Sequence, residues 1–269
     1  DNFARNKDWE AIYDRIIKLR EEDGMDVRFM IQVDTLCHKI PNFIEKSRRA
    51  GVTRVFIGLE NINPANLIAA KKRQNKITEY RKMLLEWKRV GIITYAGYIL
   101  GFENDTPESI RHDLEIIKKE LPLDMLEFFI LTPLPGSEDH KVLHEKGVWM
   151  DPDMNKYDLN HRVSHHPIMS DTTWEKVYFD SWRQFYTPEH VETVLRRDAA
   201  RGKRTSALYS SVVHFLGSIL IEKVHPLECG IVRRKSVEAA LKISGVHYGK
   251  LLKDSLQLQE GLRQLTHKV

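Results

Sequence analysis

The sequence predicts an α/β fold in which parallel strands alternate with helices, followed by a helical C-terminal region. Up to about residue 140, short apolar segments alternate with segments of helical periodicity. The apolar segments are nearly continuous, which is typical of parallel strands buried on both faces. We expect an open, partial (β/α) barrel over 1–146, an irregular strap over 147–170 and a helical extension over 171–269.

The composition is that of an ordinary globular protein. The chain has 269 residues, of which 42% are hydrophobic and 30% charged. A net charge of +4 is too small to indicate nucleic-acid binding by itself. Cys37 and Cys229 stand alone, which argues against a disulfide framework and favours a reducing cytoplasm. The apolar segment 207–221 is too short and interrupted to span a membrane, so we expect no transmembrane segment.

The first half of the chain divides into clear elements. The predicted helices cover about 9–22, 41–50, 77–90 and 106–121. The predicted strands cover about 27–33, 54–59, 93–101 and 125–131. Four twisted parallel strands cannot close a barrel, so we expect further strands upstream and interpret the chain as the C-terminal part of a longer protein.

The second half is predicted to be helical. Thr172 and Glu175 have the spacing of a capping box at the start of a helix. Thr187 is predicted to cap the next helix, and Asp8 and either Asp105 or Thr106 are predicted caps in the first half. An apolar helix is expected over 207–224 and a charged one over 235–265.

Two strands end in the same local sequence. Gly58-Leu59-Glu60-Asn61 closes one strand and Gly101-Phe102-Glu103-Asn104 closes another. Ligands of parallel sheets bind at the carboxyl ends of the strands, where carboxylates can accept hydrogen bonds from hydroxyl or ammonium groups. Gly97 adds a second glycine to the later strand, where a flat ligand could approach the backbone. A single strand-end carboxylate could equally cap a helix; the repetition favours a ligand site.

Other polar residues have simpler interpretations. His140 and His144 have helical spacing, and three further histidines lie within 161–166, but neither group has a third metal ligand at a convincing spacing. Cys37 has no base assigned to it and is expected to be a buried structural residue. The basic runs 71–73, 196–204 and 233–235 are expected to be solvated surface.

Five motifs in this order resemble the radical S-adenosylmethionine (SAM) enzymes, and most closely the branch that carries a cobalamin-binding domain. They are Asp1-Asn2-Phe3, Gln32-Val33-Asp34, the 56–61 block, the 97–102 block and Phe129-Ile130-Leu131-Thr132-Pro133-Leu134-Pro135-Gly136. The resemblance covers about 1–150. It implies a partial (β/α)6 barrel of the radical SAM type, open because its N-terminal strands are missing, with SAM across the strand ends.

The resemblance also implies which residues surround SAM. They are Asp1, Asn2, Gln32, Asp34, Glu60, Asn61, Gly97, Ile99, Gly101, Thr132, Pro133 and Leu134. The first pair corresponds to a loop that contacts the SAM amino group, and the 60–61 pair to a strand end at the ribose or methionine moiety. The glycine strand and the 131–134 loop would line the adenine. Family members place a Glu three residues after Gly101, where this chain has Asn104, so Glu103 is a weaker candidate than Glu60.

The three-cysteine loop that binds a [4Fe–4S] cluster in this family is absent from the chain. We therefore expect the cluster and cobalamin only in a full-length protein, which would use SAM to methylate or otherwise modify an unactivated carbon. Its partners would be a small-molecule or lipid-like substrate and a reductant protein; the fragment alone would be inactive. Two alternatives stay open: an iron-free enzyme with Glu60 or Glu103 as base, and a non-catalytic basic binding module.

Overall fold

The computed structural model describes residues 2–69, 77–201 and 206–228, together with residues 257 and 260. The chain divides into two compact units, Asp1–Phe128 and Phe129–Val269, and each is described by itself. The division expected from the sequence, at 146 and 170, stays a prediction. The charged helix predicted over 235–265 and the basic run 233–235 lie outside the described residues, apart from 257 and 260.

The first unit alternates helices with strands, as the sequence predicts. Its strands are β1 (Phe29–Val33), β2 (Val52–Glu60), β3 (Ile93–Leu100) and β4 (Met125–Ile130), of which β4 continues into the second unit. Its helices are α1 (Trp9–Glu21), α2 (Phe43–Ala50), α3 (Pro64–Ala69), α4 (Ile77–Arg89) and α5 (Pro107–Glu120). The short helix α3 was not predicted.

The sheet has the order β1-β2-β3-β4, and both β1 with β2 and β2 with β3 pair in parallel. The register places Gln32 beside Phe56 and Gly58 beside Gly97. Because neighbours in register point to the same side of a sheet, these four residues share one face.

The opposite face of the sheet carries the hydrophobic core. Val55, Ile57 and Leu59 of β2 alternate with the first set and are buried. The hydroxyl of Tyr80, on α4, donates to the carbonyls of Leu59 and Asn61, at 3.3 Å each. These contacts place α4 against the end of β2. With the strand order β1-β2-β3-β4, right-handed crossovers put the connecting helices on one side of the sheet and leave the glycine-bearing side for other contacts.

The helix ends agree with the sequence in part. Thr106 caps α5 and forms a reciprocal capping box with Ser109. The predicted capping box at residue 172 is wrong, because Ser170 is the N-cap of its helix and accepts the Thr173 N–H. Asp8 occupies the N-cap position of α1, yet its side chain makes no capping hydrogen bond.

The second unit is helical, as predicted. It contains α6 (Glu138–Glu145), α7 (Asp171–Phe185), α8 (Pro188–Ala199) and α9 (Ser206–Leu216). The apolar helix expected over 207–224 is interrupted, because α9 passes into a π-helical segment, Gly217–Glu222. The strap is irregular, with one antiparallel bridge between Met150 and Ser164. Thr187 caps α8, as expected.

None of the helices in the described part of the chain is long and apolar enough to cross a membrane.

Candidate functional site

The candidate site is the face of the sheet that the helices of the first unit leave uncovered. The ring of Phe56 meets Tyr95 edge-on, with 4.9 Å between ring centroids, and the Gly58–Gly97 pair follows directly toward the carboxyl ends of these strands. Two adjacent glycines remove two side chains from the sheet surface. Gly97 is buried and Gly58 is partly exposed. The expectation that a flat ligand approaches the backbone at Gly97 stays a prediction.

At the end of β1, Asn2 and Gln32 form a single parallel bridge. Asn2 donates to Asp34 at 2.9 Å, and Arg5 and the Leu36 N–H also donate to this carboxylate. Burial opposes ionisation of Asp34, but these hydrogen bonds outweigh it and hold the pKa of the carboxyl below its usual value. Asp34 thus anchors the segment that carries Asn2.

At the end of β2, the backbone of Glu60 is left-handed, with φ 66°. This turn aims the side chain back along the strand: a Cβ on Gly58 would lie 3.0 Å from Glu60 Oε1. The carboxylate therefore lies above Gly58. Asn61 is fully buried, and its side-chain oxygen accepts the Asn63 N–H at 2.7 Å.

At the end of β3, Gly101 has φ 107°, a conformation that only glycine adopts without strain. The carboxylate of Asp105 accepts the N–H of Gly101 at 2.8 Å and that of Phe102 at 3.0 Å. Glu103, in contrast, is exposed. Sequence reasoning treated Asp105 only as a helix cap and missed its contact with the glycine turn.

A second missed residue is Glu127 on β4. It is fully buried and accepts a hydrogen bond from the hydroxyl of Tyr95, which places it on the same face as the glycine pair. Burial raises the pKa of Glu127 to about 7, although the Tyr95 hydrogen bond acts in the opposite direction. The signal in the sequence was a single charged residue within the apolar strand Met125–Ile130.

The structure places the other predicted site residues as follows. Ile99 is partly exposed near the end of β3. Thr132, Pro133 and Leu134 belong to the second unit, where Thr132 donates to the Ile130 carbonyl at 3.0 Å and Leu134 is exposed. Asp1 lies outside the described residues.

The described residues do not fit a metal or an iron–sulfur cluster. No group of three or more His, Cys, Asp or Glu side chains in the described ranges is arranged to hold a metal ion. Cys37 is buried, and its burial raises the pKa of the thiol to about 12. His161 contacts Asp158 and His165 contacts Asp171, each at 2.9 Å, so these two histidines make local side-chain contacts.

No protein-family model matches the chain. Among curated proteins it is 26% identical to bacteriochlorophyllide d C-8(2)-methyltransferase of Chlorobaculum tepidum over 164 residues, which are 61% of this chain and 35% of that protein. It is 24% identical to hopanoid C-2 methylase of Rhodopseudomonas palustris over 193 residues, which are 70% of this chain and 35% of that protein. The matched part thus spans about a third of these relatives.

Among solved structures, the chain resembles TsrM of Kitasatospora setae, a radical S-adenosylmethionine methyltransferase with cobalamin and a [4Fe–4S] cluster bound. The match has a TM-score of 0.49 and 16% identity, over 98% of this chain and 52% of that one. Both curated relatives are methyltransferases by name, in agreement with the resemblance to radical SAM methyltransferases that the sequence motifs indicate.

Proposed function

We propose that this chain supplies the SAM-facing strands of a radical SAM methyltransferase. The observation that carries the proposal is the Gly58–Gly97 pair on one face of a parallel sheet, next to strand ends that bear Gln32 and Glu60. The curated relatives are methyltransferases, which supports the proposal.

The residues present fit SAM in their chemistry. The two glycines add no side chain above the backbone, and the carboxylate of Glu60 beside Gly58 can accept hydrogen bonds from ribose hydroxyls or an ammonium group. Ile99 offers an apolar, partly exposed side chain beside Gly97. SAM itself would supply the methyl group or, on reductive cleavage, the radical.

Two of the residues predicted to contact SAM, Asp34 and Asn61, are better placed to position neighbouring residues. Asp34 is engaged by Asn2, Arg5 and a backbone N–H, and Asn61 is buried among loop contacts. We propose that Asp34 holds Asn2 and that Asn61 holds the turn of Glu60. In this proposal Asn2, Gln32 and Glu60 are the polar groups that contact SAM from the first unit.

The cluster does not fit this chain, because two separated cysteines cannot replace three ligands. We therefore propose that the cluster-binding loop, and any cobalamin site, lie outside these 269 residues. The substrate is proposed to be an apolar small molecule of the kind named for the relatives, a tetrapyrrole or a hopanoid. We also propose that a separate protein supplies electrons to the full-length enzyme and that the enzyme is located in the cytoplasm.

The test is SAM binding with matched glycine variants in the full-length protein. Gly101→Ala and Gly24→Ala each place a side chain on a backbone of positive φ, at 107° and 69°. The strain is larger at Gly101, because 69° lies in the left-handed region that alanine can adopt, so the free energy of unfolding of both variants is measured together with the affinity. Only Gly101 lies at the proposed site. We expect Gly101→Ala to weaken SAM binding about tenfold or more in equilibrium dialysis, which is about 1.4 kcal/mol, and Gly24→Ala to leave it unchanged. Equal affinities in both variants would contradict the proposed site.

A further inference from the structure

Three buried polar side chains join the turn after β2 to the turn after β3. Asn61 and Asn66 are fully buried, and Asp105 is 1% exposed. The side-chain amide of Asn66, on α3, donates to Asp105 Oδ1 at 2.6 Å and approaches Asn61 Oδ1 at 3.5 Å. The Asn66–Asp105 contact therefore links helix α3, which follows the turn after β2, to the turn after β3, over 39 residues of sequence.

The carboxylate of Asp105 accepts hydrogen bonds from the Gly101 turn and from helix α3 at the same time. Its Oδ2 atom accepts the N–H groups of Gly101 and Phe102, while its Oδ1 atom accepts the amide of Asn66. Buried carboxylates of this kind require donors, and hydrogen bonds to a charged group are stronger than neutral ones. Position 66 must donate for this arrangement to persist, which asparagine does and aspartate at neutral pH does not.

The contact also connects two backbone segments of unusual conformation. Gly101 has φ 107° and Glu60 has φ 66°, and a left-handed non-glycine residue is held only where its surroundings enforce it. Asn61, next to Glu60, donates to the Ile99 carbonyl at 3.5 Å. The two turns are thus tied to each other at their bases.

We propose that Asn66 and Asp105 are positioning residues that hold the Glu60 and Gly101 turns in one mutual arrangement for SAM. Neither side chain is accessible enough to contact a ligand, so they act through the two turns. The ligand named here rests on the proposed function, whereas the coupling of the turns does not.

The first experiment measures amide hydrogen exchange, with no ligand. Asn66→Asp places a second carboxylate against Asp105, and we expect faster exchange at Gly101 and Phe102, although the substitution lies in the other loop. Asp105→Asn combined with Asn66→Asp exchanges donor and acceptor and should restore protection. Ala65→Asp adds the same charge at an exposed neighbouring position and should leave both amides unchanged.

Two results would overturn the coupling. One is faster exchange confined to the segment around residue 66, and the other is no recovery of amide protection at Gly101 and Phe102 in the double variant. If Asn66→Asp does not fold, Asn66→Ala removes the donor without adding charge, and the same two amides decide the question. Unchanged exchange at Gly101 in Asn66→Ala would also refute the coupling.

The second experiment measures SAM affinity in the full-length protein with its cluster reconstituted. Loss of one hydrogen bond to a buried charge should weaken SAM binding roughly ten- to hundredfold in Asn66→Asp, with recovery in the double variant. The rate at saturating SAM should change much less. If the wild type itself does not bind SAM, the proposed function fails while the exchange result still stands. If the wild type binds and Asn66→Asp binds equally well, the positioning role is wrong.

Discussion

Replacing Glu127 by glutamine should remove a pH dependence of stability that this one residue introduces. The carboxyl is fully buried, and its pKa is raised from 4.5 to about 7. The native state therefore holds this proton more tightly than the unfolded state. The stability of the protein is highest below pH 4.5 with respect to this group, falls as pH rises toward 7 and levels off above it.

The size of the effect follows from the pKa shift. One pKa unit corresponds to about 1.36 kcal/mol, so the full shift lowers the free energy of unfolding by roughly 3 kcal/mol at alkaline pH. Of this decrease, about 2.5 kcal/mol develops between pH 5 and pH 8. The glutamine variant stays neutral and its side-chain oxygen can still accept from Tyr95. We expect the free energy of unfolding of Glu127→Gln, relative to wild type, to increase by that amount over this range.

The assay is urea unfolding followed by circular dichroism at several pH values. Other titrating groups, such as Asp113, are present in both proteins and cancel in the difference. Glu103→Gln, at an exposed position of the same unit, is the matched control and should follow wild type. A Glu127→Gln protein with the same pH slope as wild type would refute the argument from burial.

Three further predictions concern the scaffold of the first unit. Lys88→Met should lower the free energy of unfolding in urea by about 3–5 kcal/mol, because it leaves the carboxylate of Asp124, which is 1% exposed, without its cation. A decrease below about 1 kcal/mol would show that the pair is not formed. Gly51→Ala should lower the free energy of unfolding by more than about 2 kcal/mol, because its Cβ would lie 2.4 Å from the Val27 carbonyl on a backbone with φ 99°. A variant as stable as wild type would contradict this backbone conformation at Gly51. Cys37, whose thiol pKa is about 12, should resist iodoacetamide at pH 8 in the folded protein, as peptide mapping can show; rapid labelling would show that it is accessible.

The parallel sheet could be predicted from the sequence because it depends on local patterns. Apolar runs of strand length, separated by amphipathic helices, identify β1 to β4 without knowledge of any contact. The site could be predicted only to the level of the strand ends. The repeated Gly-apolar-Glu-Asn sequence drew attention to Glu60 and Glu103 alike, and the structure leaves Glu103 exposed while Glu60 lies over Gly58.

The missed residues depend on contacts distant in sequence. Asp105 stabilises the Gly101 turn through its own loop, but its partner Asn66 is 39 residues away, on a helix that the sequence did not predict. The cap at Ser170 rather than Thr172 likewise depends on where the strap ends and α7 begins. Thr132, Pro133 and Leu134 belong to the second unit and stay predictions as SAM contacts.

The measurement that tests the central claim most directly is the release of methionine and 5′-deoxyadenosine from SAM by the full-length protein. The protein would be purified without oxygen, its cluster reconstituted and a strong reductant added. We expect a brown protein that releases both products. With SAM below saturation, the Gly101→Ala variant should release much less of each product. A colourless protein that modifies a substrate without iron, or a reconstituted protein that leaves SAM intact, would contradict it.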